Sequence, residues 1–328
     1  MNFKDFKEKY EKVPVEHYTH KVGEHPIVSV CVQTYNHEPY IKDCLEGILM
    51  QKMDSPYEIL LGEDASKDGT REICIEYAKN YPAKIQLFLH QRENNISVGS
   101  QPTGRFNLLY NLYNAKGKYI ALCEGDDYWT DPLKLQKQVN LLEKKRNVVL
   151  SFHKVEVFSN KSEESKLFNH LEERHYTARE IYSTWTVPTA TVLFRNNNEI
   201  SIPEWVCYTD IYLFLKLLKG GKAYCHDFYG SVYRRHEEGL SGNLATDMAI
   251  RLYYQYLNME KEFPELKEIS KRKANMYLDH LIYAPYFKGI WKYRFMKMMR
   301  EPKLIFSSFF TTTLTSYMFK RKRHNESG

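Results

Sequence analysis

A chain of 328 residues that is 43% hydrophobic is long enough to bury a full core and too apolar to be disordered, which predicts one large domain with an appendage. Six cysteines (31, 44, 74, 123, 207 and 225) stand singly with no CxxC pair, and the charged start MNFKDFKEKYEKVP lacks the apolar segment of a secretory signal; a disulfide framework and a zinc site are excluded, and a reducing cytoplasm is expected. The net charge of +6 is uneven, because residues 271–328 hold 13 Lys and Arg against 3 Asp and Glu, so a basic end on a mildly acidic body predicts an anionic surface as partner.

After a polar leader over 1–24, IVSVCVQ reads as a buried strand and EPYIKDCLEGILMQ as an amphipathic helix. YEILLGED is a second strand ending in two acids, DGTREICIEYAKNY a helix, KIQLFLH a third strand, GRFNLLYNLYNA a helix and KYIALC a fourth strand. This alternation predicts an α/β fold with a mainly parallel sheet flanked by helices. Ligands bind such sheets outside the carboxyl ends of the strands, so the polar stretches TYNHE, EDASKDGT and EGDDYW are expected to converge on one edge. Further on, DPLKLQKQVNLLEKK is a helix with Asp131 as cap and Pro132 at its first position. TATVLFR is a strand, DIYLFLKLLKGG a helix with Asp210 at its start, and AYCHDFYGSVYRRH a strand reaching His236. From about residue 245 the pattern is helical and rich in Tyr and Met, which divides the chain into 25–244 and a helical, basic region 245–328.

The stretch ALCEGDDYWTDP sets Glu124, Asp126 and Asp127 within four residues. Carboxylates so close repel one another, and the cluster is unfavourable unless a cation or hydrogen-bond donors compensate. Capping the next helix requires only Asp131, so the triad points to a metal or a ligand.

The segments VSVCVQTYNHEPYIKDCLEGILMQ, EILLGEDASKDGT, GKYIALCEGDDYW, the TD of CYTDIYLFLKL and SVYRRHEEG follow one another across about residues 25–240. In these five the chain resembles the family 2 nucleotide-diphospho-sugar glycosyltransferases of the bacterial surface-polysaccharide type, which have the GT-A fold. The resemblance implies a metal-dependent, inverting hexosyltransferase that uses a UDP-sugar donor and a saccharide or lipid-linked acceptor. It places Glu124-Gly-Asp126 on the family's Asp-x-Asp motif, with Mn or Mg held by Asp126. Glu at the first position is a departure, and it leaves open whether Glu124, otherwise directed at the ribose, or Asp127 completes the shell. His236 falls where the family carries a further ligand, and a solvated loop histidine is the alternative. Asp64 matches the carboxylate that accepts the uracil N3–H. Thr34 and Tyr35, after the first strand, are placed to hold the base. Glu38 is assigned to the nucleotide side or to a helix start, and Arg105 to a phosphate; Asp68 with Gly69 reads as a turn and cap. Asp210 occupies the place of the family's general base, with a helix N-cap as the other reading. Trp185, in TWTVPTA, is expected to stack on the acceptor sugar.

Residues 285–323 mix aromatics, Met and basic residues, and the longest uncharged run, Leu304 to Phe319, is 16 residues with seven Ser or Thr. That is short of the roughly 20 apolar residues a spanning helix needs, so the tail is expected to lie on the inner face of the cell membrane, the alternative being a helix packed on the body. A sugar nucleotidyltransferase would want a Gly-rich basic loop after the first strand, which QTYNHEPY is not. A non-catalytic nucleotide- or RNA-binding module using the tail is the other rival; the acidic loops repel phosphate without a cation, and no nucleic-acid partner is expected.

Overall fold

The computed structural model describes residues 2–97, 103–159, 167–184, 186–197, 201–235, 246–283 and 296. The chain divides into two units, Met1–Leu240 and Ser241–Gly328.

Strands β2 (Val28–Thr34), β3 (Tyr57–Glu63), β4 (Ile85–Leu89) and β5 (Tyr119–Glu124) are the centre of the first unit, preceded by helix α1 (Phe3–Tyr10) and the two-residue strand β1 (Glu16–His17). Each of the four is apolar on both faces, as a strand covered by helices on either side must be. Val28, Val30 and Val32 of β2 join one hydrophobic cluster with Ile59, Leu61 and Ala121, while Cys31 joins another with Leu60, Phe88 and Ile120. Helices α2 (Ile41–Leu49), α3 (Thr70–Asn80) and α5 (Lys134–Lys144) add Leu45, Cys74 and Leu135 to the first cluster; α4 (Arg105–Asn114) adds Phe106 and Leu109 to the second.

The sheet continues through β6 (Tyr128–Trp129), β7 (Val148–Ser159), β8 (Arg174–Tyr176), β9 (Leu193–Arg195) and β10 (Lys222–Arg235), with α6 (Ala178–Ser183) and α7 (Thr209–Leu218) between them. Its order is β1-β4-β3-β2-β5-β9-β7-β10-β6, with β8 beside β10. β4, β3, β2 and β5 run parallel; β9 runs antiparallel to both β5 and β7. From β2 the chain goes outward to β3 and β4 and then returns to place β5 on the other side of β2. That reversal of strand order is the switch point at which open α/β sheets hold ligands.

Among the described residues, six α-helices and strands were not read from the sequence: α1, β1, β6, β7, β8 and α6. β7 is the longest strand but one, and β6 lies inside the stretch EGDDYW, where it pairs antiparallel with β10. Inside the polar leader, α1 is capped by the Asn2 side chain accepting from the Asp5 N–H and buries Phe6 against Phe106, ring centroids 5.2 Å apart. The helix expected from Pro132 begins two residues later at Lys134, with Asp131 accepting from the Leu133 N–H.

In the second unit α8 (Thr246–Glu262) and α9 (Lys267–Tyr283) pack on each other, with Tyr256 stacked on Tyr277 at 5.5 Å. Among the described residues no helix is long and apolar enough to cross a membrane. The tail beyond residue 283, on which the membrane reading rests, lies outside the described residues apart from Met296.

Lys134 is fully buried; its ammonium lies 4.0 Å from the centre of the Trp129 ring and donates to Gln138 Oε1 at 2.9 Å. Burial pulls its pKa down to about 7, against the opposing pull of Cys123 and Asp131. Below that pH the amine is charged in both states and the folded state carries the whole cost. As pH rises from about 7 toward the ordinary 10.5, the folded protein gives up a proton that the unfolded chain keeps, so stability rises. Unfolding free energies from urea titrations between about pH 6 and 9 are expected to climb in the wild type by at most about 1.4 kcal/mol per pH unit on this account, and to climb less in Lys134→Met. Equal slopes would remove Lys134 from the explanation.

Candidate active site

The register of the central strands sets Thr34 beside Glu63 and Gln33 beside Glu124, so the loops after β2, β3 and β5 leave the sheet at one edge. The first two loops are laced together. Asn36 and Ala65 adopt left-handed backbone conformations, with φ of 52° and 55°. The Asn36 N–H donates to Ser66 Oγ, the Lys67 N–H to Asn36 Oδ1, and the His37 N–H to Thr70 Oγ1, at 2.8 to 3.0 Å. Asp68 accepts from the Glu38 and Thr70 N–H groups, and Glu38 accepts from the Gly69 N–H, so both carboxylates hold the loops to each other.

At this edge Asp64 is 2% exposed and accepts from Arg92 at 2.5 Å and from Asn95 Nδ2 at 3.2 Å. Burial pushes its pKa up to about 6, with Arg92 pulling the other way. The same guanidinium lies 3.9 Å from the centre of the Tyr35 ring. Tyr35, Asp64, Arg92 and Asn95 thus form one cluster of which the sequence had supplied two. The missing pair sits in HQRENN, the polar stretch after β4, which the same strand-end argument would have included. Thr34 Oγ1 and Gln33 Nε2, at the end of β2, are buried without a hydrogen-bond partner among the described residues, and such atoms suit a ligand.

The acidic loop is pressed against the end of β2. A Cβ on Gly125 would lie 2.7 Å from Thr34 Oγ1 and 2.8 Å from His37 Nδ1, so only glycine fits between Glu124 and Asp126. Asp127 is 3% exposed and its Oδ1 accepts from the Arg234 N–H at 2.9 Å. The Arg234 side chain donates to the Asp126 carbonyl at 3.0 Å and to Asp43 Oδ2 at 2.5 Å, and lies over the Tyr128 ring. Arg234 is the residue that ties the loop to β10, and it was overlooked although SVYRRHEEG contains it.

Asp210 is the second residue of α7. The N-cap place belongs to Tyr208, which makes no side-chain cap bond, and the backbone N–H groups of Asp210 and Ile211 hydrogen-bond the Asp210 carboxylate, so it also serves the start of the helix. Its carboxylate borders a crevice of about 10 Å³ lined by Ile181, Thr186, Val187, Ile211 and Phe214, and burial raises its pKa. Although the Glu124 side chain touches solvent, the protein packed around it, then Asp126, then Asp210, push it up to about 8. Asp127 is raised in the same direction by burial and by Asp126. Asp210 and the acidic loop are thus brought into electrostatic reach of each other.

Among the described residues no three His, Cys, Asp or Glu side chains form a cage for an ion. The loop provides fewer ligands, Asp126 and Glu124 at the surface and the remaining oxygen of Asp127. Hard carboxylate oxygens that repel one another fit Mg or Mn, which is usually bound through one or two carboxylates together with a nucleotide's phosphates. His236 and Trp185 lie outside the described residues. Arg105 requires a correction. It is 4% exposed and its guanidinium donates to the carbonyls of Pro203, Glu204 and Val206, so in this structure it clamps the chain before α7 and is not open to a phosphate.

Residues 29–197, more than half of the chain, match the model of glycosyl transferase family 2. An uncharacterized protein of Mycobacterium tuberculosis is 35% identical over 222 residues, which cover 67% of this chain and 62% of that protein; the chain therefore spans under two thirds of that relative's length. The putative teichuronic acid biosynthesis glycosyltransferase TuaG of Bacillus subtilis is 26% identical over 239 residues, covering 72% of this chain and 89% of TuaG. Among solved structures, S. aureus TarS 1-349 in complex with UDP-GlcNAc superposes with a TM-score of 0.57 at 18% identity, over 78% of this chain and 73% of that one, a likeness of fold. The strand order that brings the acidic loop beside β2 is thus the GT-A arrangement, and the chain belongs to glycosyl transferase family 2.

Proposed function

We propose that this chain transfers a sugar from a UDP-sugar to a hydroxyl of a saccharide or lipid-linked acceptor, with inversion, and with Mg or Mn bound beside the diphosphate. The observation that carries this reading is that the Glu124-Gly-Asp126 loop stands beside the strand end that holds Tyr35, Asp64 and Arg92, with Asp210 within its electrostatic reach. Family membership and the UDP-GlcNAc complex of TarS support the donor class, and TuaG supports a polysaccharide acceptor.

Uracil has an N3–H to give Asp64, and cytosine has none. A base lying on Tyr35 takes the face that Arg92 now covers, so its entry moves Arg92 aside. Inverting transfer needs one group to take the acceptor's proton as its oxygen attacks the anomeric carbon opposite the leaving diphosphate. Asp210 is that group, and its raised pKa strengthens it as a proton acceptor. Asp126, with Glu124 or Asp127 and with His236, would hold the divalent ion, which when bound offsets the charge gathering on the diphosphate. The basic, aromatic tail is read as a peripheral membrane contact that brings a lipid-linked acceptor near.

Three substitutions test the assignment. Asp126→Asn removes a charged ligand at a half-buried surface position and should abolish Mn-dependent UDP binding while leaving the thermal midpoint in place; calorimetry showing unchanged affinity would refute the metal role. Asp64→Ala should weaken UDP more than pyrophosphate, by about 1.5 to 3 kcal/mol, the worth of a charged hydrogen bond. Equal losses for the two ligands would move base recognition elsewhere. Asp210→Asn should keep UDP affinity and slow single-turnover transfer by about 10² to 10⁴, the usual contribution of a general base. Wild-type transfer in that variant would exclude it as base.

A further inference from the structure

The segment before α7 has no regular structure of its own at residues 201–208, yet it ends at the helix that carries Asp210. It is held from two sides. On the inner side Arg105, the first residue of α4, donates through one terminal nitrogen to the carbonyls of Glu204 (3.2 Å) and Val206 (3.0 Å) and through the other to that of Pro203. On the outer side α1 reaches Glu204, whose Oε1 accepts from the Tyr10 hydroxyl at 2.7 Å and pairs with Lys9 at 2.6 Å. Phe6, Tyr10, Arg105, Leu109 and Ile202 line the small cavity left between the helices and the segment. Burying a guanidinium is unfavourable unless its donors are met; three carbonyls from one stretch of chain take both terminal nitrogens, and Nε alone is left without a partner among the described residues.

We infer that Arg105, backed by the α1 contact on Glu204, is a positioning residue for sugar transfer: it fixes the 203–206 segment and through it the place at which α7 presents Asp210. The inference rests on the reading of Asp210 as base. The planar fork explains why arginine is needed. Its nitrogens hold three carbonyls at fixed relative positions, whereas a lysine ammonium is a single point on a flexible stem. A loosened segment lets the Asp210 carboxylate drift, and misplacement of a reacting group by about 1 Å can cost about 10²-fold in rate.

The test is a double-mutant cycle on Arg105→Lys and Asp210→Asn. Single-turnover UDP release is followed with Mn and with whichever of UDP-glucose, UDP-galactose and UDP-N-acetylglucosamine the wild type hydrolyses fastest, water serving as acceptor; UDP affinity is measured by calorimetry. Arg105→Lys is expected to slow release by about 10- to 100-fold with unchanged UDP affinity, and to cause no further slowing in the Asp210→Asn background. Additive slowing with Asp210→Asn itself slow would overturn the inference and leave Asp210 as base. A wild-type rate in Asp210→Asn alone would overturn both. Matching losses of UDP and pyrophosphate affinity would restore the phosphate role. Should Arg105→Lys not fold, Tyr10→Phe with Glu204→Gln removes the outer tie at an exposed carboxylate; the same signature is expected of it, and additivity with Asp210→Asn counts against the inference in the same way.

Discussion

Mutual repulsion among carboxylates is the constraint around which the edge of this sheet is arranged. Glu124, Asp126 and Asp127 are crowded enough that Glu124 and Asp127 are both raised in pKa with Asp126 among the causes. Left alone, such a loop would swing out into water. It is kept in place by its glycine, which lets the backbone close on Thr34 and His37, and by Arg234, which holds an Asp127 oxygen with its own N–H and the Asp126 carbonyl with its side chain. Neither device neutralises Glu124. The repulsion is instead relieved by protons, since Glu124 is held up to about 8 and Asp127 is raised with it, and a cation arriving at this edge would take their place.

On the proposed reading, the two sides of the switch point divide the work. On the β3 and β4 side lie buried, hydrogen-bonded groups suited to recognising a base, with Asp64 held between Arg92 and Asn95. On the β5 side lie the acids of the loop, Glu124 exposed, Asp126 half-buried and Asp127 buried, with Asp210 of α7 in electrostatic reach. Recognition by an already satisfied pocket and chemistry by an unsatisfied, repelling one call for opposite electrostatic settings. Placing them on different strand ends allows both within one edge.

The parts of this arrangement legible in the sequence are those fixed by local pattern. Strands β2 to β5 announce themselves because burial on both faces writes a continuous apolar run, and the polar stretch after each run marks the ligand edge. β7 escaped because VVLSFHKVEVFS is apolar at its start and alternating at its end, so neither pattern lasts long enough to decide. α1 was hidden among charges, its burial resting on Phe6 and the neighbouring rings of a partner helix about a hundred residues away. The clamp made by Arg105 is hidden for a related reason: an arginine opening a helix has the look of a surface or phosphate residue, and only the fold brings Pro203, Glu204 and Val206 to it. Arg92, Asn95 and Arg234 follow strands or end them, and the strand-end argument applied to every strand would have reached all three. What no pattern could supply is which oxygen each of them holds.

Arg234 has a mechanical consequence. Because it grips the acidic loop by main chain and side chain together, and is itself part of β10, the loop and the last residues of that strand form one body. The Tyr128–Trp129 pairing with Val232 and Ser231 makes the joint a short piece of sheet, stiff along its hydrogen bonds. A ligand that draws Asp126 inward by a fraction of an ångström must therefore carry the end of β10 with it. The displacement is thus shared between the loop and the last residues of β10 and is not taken up by the loop alone.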